Sequence, residues 1–146
     1  MGTEAAKVGT RLLIDAEQVR YQPAIDKLVL DLQQTYNSNN SKPIIYNTYQ
    51  CYLKDAMDRL KLDVERAERF GFHFGAKLVR GAYMESERLW AEDNKIESPI
   101  HDTIEETHNC YNDAVKFLLE CSKRMDKQVE VMVASHNQES IEKAIE

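Results

Sequence analysis

Apolar residues along this chain alternate between short continuous runs and longer stretches in which they recur every three or four positions. The short runs predict buried β-strands near residues 11–16, 43–47, 75–80 and 129–134. The periodic stretches predict amphipathic helices over 23–36, 53–67, 85–93, 104–122 and 138–146. Strands that alternate with helices are typical of parallel sheets with right-handed crossovers. The pattern therefore predicts an α/β fold with about four parallel strands and intervening helices.

A glycine and a polar stretch indicate where two of the predicted helices end. Gly71 follows the second periodic stretch and suits the C-cap of a helix. Residues 37–42, NSNNSK, are wholly polar and predict a loop between the first helix and the second strand.

Polar residues gather at the carboxyl end of each predicted strand. They are Asp15 and Glu17, then Asn47 and Gln50, then Lys77, Arg80 and Gly81, and finally Ser135, His136 and Asn137. Parallel α/β folds form their sites at this edge of the sheet, so we expect the four groups to share one rim. Each residue alone suits a cap or a charged turn equally well, and only their convergence favours a site. Arg80 followed by Gly81 is also suited to binding an anion.

Composition narrows the class of partner. The chain has 146 residues, a length typical of one domain, and 42% hydrophobic and 30% charged residues, as in soluble globular proteins. A net charge of −6 without a long basic run argues against nucleic acid or an anionic membrane surface as the partner. No apolar run is long enough for a transmembrane span. The first twenty residues contain Glu4, Asp15 and Glu17 and lack an apolar core, so we expect no signal or transit peptide.

Metal and nucleotide motifs are missing from the sequence. The four histidines show no paired ligand spacing, and no CxxC pair occurs, so we expect no metal site. The glycine-rich nucleotide loops and the GxSxG nucleophile motif are absent as well. Cys51, Cys110 and Cys121 form no close pair in sequence, which favours three ordinary thiols in a reducing compartment.

Four stretches carry a family resemblance. In order and spacing, the sequence resembles the proline dehydrogenase family through LLIDAEQ, IIYNTYQCYLKDA, FGAKLVRGAYMESER and VMVASHN. The resemblance covers nearly the whole chain, is most specific in KLVRGAY, and points to the eukaryotic mitochondrial branch, which includes hydroxyproline dehydrogenase. It implies a distorted eight-stranded β/α barrel that holds FAD, oxidises L-proline to pyrroline carboxylate and passes electrons to a quinone. It also implies a location on the matrix side of the mitochondrial inner membrane.

The resemblance assigns roles residue by residue. Asp15 and Lys77 match active-site positions, and Lys77 stands where bacterial members have an arginine near flavin N5. Asn47 stands where bacterial members have a glutamine that binds the isoalloxazine ring. The positions that match cofactor-binding residues are Ala16, Asn47, Arg80, Gly81, Ala82, Ser135 and His136, and those that match substrate-pocket residues are Leu78, Ala82 and Tyr83.

The chain is short for this fold. A β/α barrel needs eight strands and typically about 250 residues, whereas the sequence predicts four strands and has no adjacent Arg-Arg pair to hold the proline carboxylate. We therefore expect residues 1–146 to be the central segment of a partial TIM-like FAD-binding barrel, inactive alone and prone to self-association through unpaired strand edges. A catalytically inactive fragment and a hydroxyproline dehydrogenase remain as alternatives. If the resemblance is set aside, a third alternative is a flavin-free barrel lyase that uses Asp15 and Glu17 as acid and base.

Overall fold

A computed structural model describes residues 1–38, 41–126 and 128–145 of the chain. Its four strands are β1 (Leu12–Ile14), β2 (Ile45–Gln50), β3 (Phe74–Val79) and β4 (Val129–Val133). They form one sheet in the order β1-β2-β3-β4, and each neighbouring pair is parallel. The helices are α1 (Gly2–Val8), α2 (Gln22–Tyr36), α3 (Ala56–Phe70), α4 (Met84–Asp93), α5 (Ile104–Arg124) and α6 (Gln138–Ile145).

The predicted α/β fold with four parallel strands is confirmed. Several bounds differ from the prediction: α1 was not expected, β1 is shorter, β2 begins later and continues to Gln50, and α3 runs from Ala56 to Phe70. The six side chains of β2 are all buried, including those of Asn47, Thr48 and Gln50. Because these three residues are polar, the apolar pattern placed the end of the strand too early. The predicted NSNNSK loop and the predicted end of α6 fall partly on residues 39, 40 and 146, which lie outside the described residues.

The main core lies between the sheet and the helices that connect its strands. Phe74, Ala76 and Leu78 of β3 are 0% exposed and pack with residues of α3 and α5, such as Leu60 and Leu118. Because side chains alternate along a strand, the residues between them face the other side of the sheet. That side presents Lys77 and Val79 of β3, and no described residues beyond β1 or β4 extend the sheet. Among the described helices, none is long and apolar enough to cross a membrane.

Asn37 joins the end of α2 to the starts of two strands. Its side chain is 0% exposed, and its amide nitrogen donates to the carbonyl oxygens of Ile45, at 3.0 Å, and His73, at 2.9 Å. Its amide oxygen accepts from the backbone nitrogens of Ile44 and Ile45, both at 2.9 Å. One side chain therefore bonds four backbone groups, and among the described residues only the Ile45 carbonyl oxygen also accepts from a second side chain, that of Gln33, at 3.2 Å.

A polar cluster crosses the opposite side of the sheet near the amino ends of the strands. The Tyr46 hydroxyl donates to Glu130 Oε2 at 2.6 Å, while Arg11 donates to the Tyr46 hydroxyl at 2.9 Å and to Glu130 at 2.8 Å. Tyr46 lies on β2 and Glu130 on β4, so the ring passes over β3 at Gly75. A Cβ atom at Gly75 would lie 2.9 Å from the Tyr46 ring and 2.7 Å from the Ile45 carbonyl oxygen. The cluster therefore requires glycine at position 75.

Candidate active site

The carboxyl ends of β1, β2 and β3 surround a cavity of about 320 Å³. Its wall is polar at the strand ends and small or apolar along the turn that follows β3. The lining residues are Asp15, Ala16, Glu17, Thr48, Gln50, Lys77, Val79, Arg80, Gly81, Ala82 and Tyr83. The cavity lies at the low end of the range for small-molecule sites, roughly 300–1,000 Å³.

An ion pair crosses the mouth of this cavity. Lys77 Nζ lies 2.8 Å from Asp15 Oδ1, which joins β3 to the segment after β1. The Lys77 side chain is 23% exposed and that of Asp15 is 75% exposed. Thr48 lies between them in the sheet and donates its hydroxyl to the Ile14 carbonyl oxygen at 2.8 Å, which fixes the end of β1. Since such an exposed pair contributes little to stability, both charges are available to a ligand at small cost.

The turn after β3 depends on glycine. Gly81 has φ +143°, a conformation that residues with a side chain rarely adopt. A Cβ atom there would come within 2.4 Å of the Tyr52 ring. The backbone nitrogen of Tyr52 donates to the Arg80 carbonyl oxygen at 2.7 Å, so the aromatic ring and the turn are held together. The chain thus turns at Gly81, two residues after β3 ends, because only glycine fits this conformation beside the Tyr52 ring.

The Arg80 guanidinium points away from the cavity, although the residue contributes to the wall. It donates to Ser135 Oγ at 2.7 Å, to Ser140 Oγ at 2.9 Å and to His108 Nδ1 at 2.9 Å. It also lies over the Tyr111 ring, 4.4 Å from the ring centre. Arg80 therefore holds α5, α6 and the segment after β4 against the end of β3. Sequence reasoning missed His108 and Ser140, because nothing in the helical pattern marks either as a partner of a strand end.

The cavity brings together most of the predicted site residues but not all of them. Asn47 is 2% exposed and donates to Asp26 of α2 at 3.0 Å, and Leu78 is 0% exposed in the core. Ser135 receives the Arg80 bond, and His136 is exposed three residues after β4. These four residues lie outside the cavity lining, and their assigned roles stay predictions.

Two strand-end residues named from the sequence, Glu17 and Gln50, contact each other in the cavity wall. Gln50 donates to the Glu17 carbonyl oxygen at 2.9 Å, and hydrogen bonding with the Glu17 carboxylate raises the pKa of Tyr83. Thr48 was missed, although it alternates with Asn47 and shares the face of Gln50. Strand alternation is therefore the signal that separates cavity residues from core residues here. Within the described part of the chain, no three His, Cys, Asp or Glu side chains are placed to hold a metal ion.

A parallel four-stranded sheet with connecting helices and a polar cavity at its carboxyl edge is the architecture of a segment of a β/α barrel. The proline dehydrogenase family matches residues 1–146, and the chain belongs to that family. It is 48% identical to human "Proline dehydrogenase 1, mitochondrial" over 99% of this chain, and 41% identical to "Hydroxyproline dehydrogenase" of Bos taurus over 92% of it.

The matches cover only part of each relative. The chain spans 24% of the human protein and 29% of the bovine protein. Among solved structures, proline utilization A from Bdellovibrio bacteriovorus superimposes with a TM-score of 0.85 at 24% identity, over 95% of this chain and 14% of that one. This likeness supports the fold. The predicted family and the predicted partial β/α barrel are both confirmed.

Proposed function

We propose that this chain forms part of the active site of an FAD-dependent dehydrogenase that oxidises L-proline to pyrroline carboxylate. The observation that carries the proposal is the Asp15–Lys77 ion pair at the mouth of the strand-end cavity. Both residues occupy positions that match the family's substrate and flavin positions, and membership of the family supports carrying those roles over.

The cavity residues suit a flavin. Bound FAD would supply the hydride acceptor of the reaction. Lys77 would place a positive charge beside the part of the flavin that becomes negative on reduction. That charge would stabilise the reduced flavin in a site partly shielded from water. Ala16, Gly81 and Ala82 have little or no side chain, so a flat ring system could approach the backbone closely. Arg80 has three hydrogen bonds to protein groups, so its main role here would be to hold the cavity wall.

Asp15 would act on the substrate. Its carboxylate is 75% exposed and accepts one bond from Lys77, so it can also accept from the secondary ammonium of proline. Tyr83 would close the substrate side of the cavity. Because the chain spans about a quarter of its curated relatives, other segments would supply the group that holds the substrate carboxylate. We expect no turnover by the 146 residues alone, since the substrate would not be oriented for hydride transfer.

The remaining partners follow from the same proposal. The electron acceptor would be a quinone at the mitochondrial inner membrane, with the barrel on the matrix side; the human relative's name, which includes "mitochondrial", supports the compartment. Hydroxyproline is a second candidate substrate, because the bovine relative named "Hydroxyproline dehydrogenase" is 41% identical to this chain. The chain alone would self-associate, since the outer edges of β1 and β4 present unpaired backbone groups.

Asp15→Ala in a full-length enzyme that contains this segment should lower kcat/KM for proline about a hundredfold or more while flavin stays bound. The expected loss is large because the carboxylate would contact the substrate, and flavin is retained because Asp15 is largely exposed and supports no core. Dye-coupled proline oxidation measures the activity, and visible absorbance measures bound flavin.

Asp31→Ala is the matched control, because Asp31 is an exposed acid paired with Lys27 on α2. It should leave both readouts unchanged. Full activity in the Asp15→Ala enzyme would refute the site assignment, and a purified enzyme without any flavin absorbance would refute the flavoenzyme itself.

A further inference from the structure

The segment between β1 and α2 carries two acids of the cavity wall, Asp15 and Glu17. We call this stretch, residues 15–21, the acid segment. It is neither helix nor strand, so side chains from other elements supply bonds to its backbone. The Glu17 nitrogen donates to Gln22 Oε1 at 2.8 Å, and Gln50 Nε2 donates to the Glu17 carbonyl oxygen at 2.9 Å. These two bonds tie the acid segment to α2 and β2.

A third side chain reaches the acid segment from α4. The Val19 nitrogen donates to Glu87 Oε1 at 2.7 Å, and Glu87 lies in the first turn of α4. The Glu87 nitrogen in turn donates to the carbonyl oxygen of Tyr83, the N-cap residue of α4, at 2.9 Å. Tyr83 belongs to the cavity wall, as does the beginning of the acid segment. Glu87 therefore joins two parts of that wall that lie far apart in the sequence.

Glu87 is an acidic residue in a buried position, with 3% of its surface exposed. Burying a carboxylate costs free energy unless hydrogen bonds or favourable charges offset the loss of water. The Val19 amide donates to this carboxylate, and the amino end of a helix favours negative charge in the first turn. An apolar side chain of similar volume would fill the space without that cost. Packing alone therefore does not account for Glu87, whereas holding the Val19 backbone does.

We propose that Glu87 is a positioning residue that holds the acid segment at a fixed distance from Tyr83 and thereby sets the width of the substrate cavity. The inference rests on the proposed function, in which Asp15 accepts from the ammonium of proline and Tyr83 closes the substrate side. Glu87 does not line the cavity itself, so it acts through the backbone of Val19. Without this bond, the acid segment keeps its bonds to α2 and β2 but loses the one from Glu87, and its distance from Tyr83 becomes variable.

Hydrogen–deuterium exchange tests whether Glu87 holds the acid segment. The sample is a full-length enzyme that contains this chain, purified with its flavin and kept without proline. In Glu87→Ala the Val19 amide loses its acceptor, so the peptide that covers residues 15–21 should exchange about tenfold faster than in the unmodified enzyme. Unchanged exchange of this peptide would overturn the proposal.

Steady-state kinetics test whether the acid segment positions the substrate. The KM for proline should rise about tenfold in Glu87→Ala, while kcat per bound flavin changes less than about twofold, because a loss of uniform substrate binding raises KM alone. A residue that only supports folding would give a different result. In that case kcat per protein falls with the fraction of folded enzyme and KM stays the same. An unchanged KM in Glu87→Ala would therefore overturn the positioning role.

Two conservative variants separate the hydrogen bond from the charge. Glu87→Gln keeps an acceptor oxygen at the same distance along the side chain and should restore both the exchange rate and the KM. Glu87→Asp keeps the charge but shortens the side chain by one methylene group, so it should raise both, to a smaller extent than alanine does. It also replaces Glu87→Ala in the comparison if the alanine variant fails to fold. A Glu87→Gln enzyme that behaves like the alanine variant would overturn the assigned bond.

Glu85→Ala is the matched control. Glu85 also lies in the first turn of α4, but it is exposed. The substitution removes the same charge from the same end of the helix, and it should change neither the exchange of residues 15–21 nor the KM. Equal increases in Glu85→Ala and Glu87→Ala would show that helix charge, and not the bond to Val19, is responsible.

A failure of the proposed function would give a different result from a failure of this inference. An unmodified enzyme that holds flavin but does not oxidise proline would refute the proposed substrate. The exchange rates of Glu87→Ala and Glu87→Gln would still decide whether Glu87 holds the acid segment, because that measurement needs no turnover.

Discussion

Asn37→Ala should lower the free energy of unfolding by about 4 kcal/mol, because a buried backbone group left without a partner costs about 1–3 kcal/mol and, among the described residues, only the Ile45 carbonyl oxygen keeps another side-chain donor, Gln33. The substitution removes the amide that donates to Ile45 and His73, and the oxygen that accepts from Ile44 and Ile45. The side chain is fully buried, so water reaches these groups only if α2 separates from the sheet. Urea unfolding followed by far-UV circular dichroism measures the change.

Asn94→Ala is the matched control for this result. Asn94 also follows a helix and donates to a carbonyl oxygen, that of Trp90 at 2.8 Å, but it is exposed. Its replacement should change stability by less than about 0.5 kcal/mol, as for most surface positions. If both variants unfolded at the same urea concentration, the assigned role of Asn37 would be wrong.

Gly81→Ala should cost about 2–4 kcal/mol and disturb the cavity, since strain at a rare φ and overpacking each cost about 1–3 kcal/mol. The added methyl group would occupy the space of the Tyr52 ring and impose a side chain on a φ of +143°. The Tyr52 ring must then move, and the turn from Arg80 to Tyr83 moves with it. Urea unfolding measures the cost, and near-UV circular dichroism measures the displaced tyrosine.

Gly71→Ala separates strain from crowding. Gly71 also has a positive φ, +71°, but a Cβ atom there would meet nothing within 4 Å. This variant should lose about 1–2 kcal/mol from backbone strain alone and keep its near-UV spectrum. Equal losses and equal spectra for the two variants would show that Tyr52 does not constrain the turn.

The spacing of apolar residues was enough to predict every strand and five of the six helices. It failed at α1, whose Gly2–Val8 segment buries only Gly2 and Ala5 and so has no apolar stripe to detect. It also failed at Asn37, which was grouped with a polar loop. Polarity indicates where the chain leaves the sheet, but it does not tell which polar side chain turns inward to bind the backbone.

The candidate site, too, was predicted only in part. The rule that polar residues at strand ends form a site brought Asp15, Lys77 and Gly81 together correctly in one cavity. The rule does not say which face each residue uses, and Asn47 turned towards α2. The partners of Arg80 come from α5 and α6, whose rotation about their axes depends on packing across the whole core. Such contacts are set by tertiary structure and leave no trace in local spacing.

The passage of Tyr46 over Gly75 ties three strands together and should also be visible in evolution. A substitution at position 75 would push the ring away from β3 and separate its hydroxyl from both Glu130 and Arg11, which would leave the Arg11–Glu130 ion pair without its third member. No single change in this group is neutral by itself. Across related sequences, positions 11, 46, 75 and 130 should therefore be inherited as a set and replaced together, so that lineages lacking the glycine also lack the tyrosine.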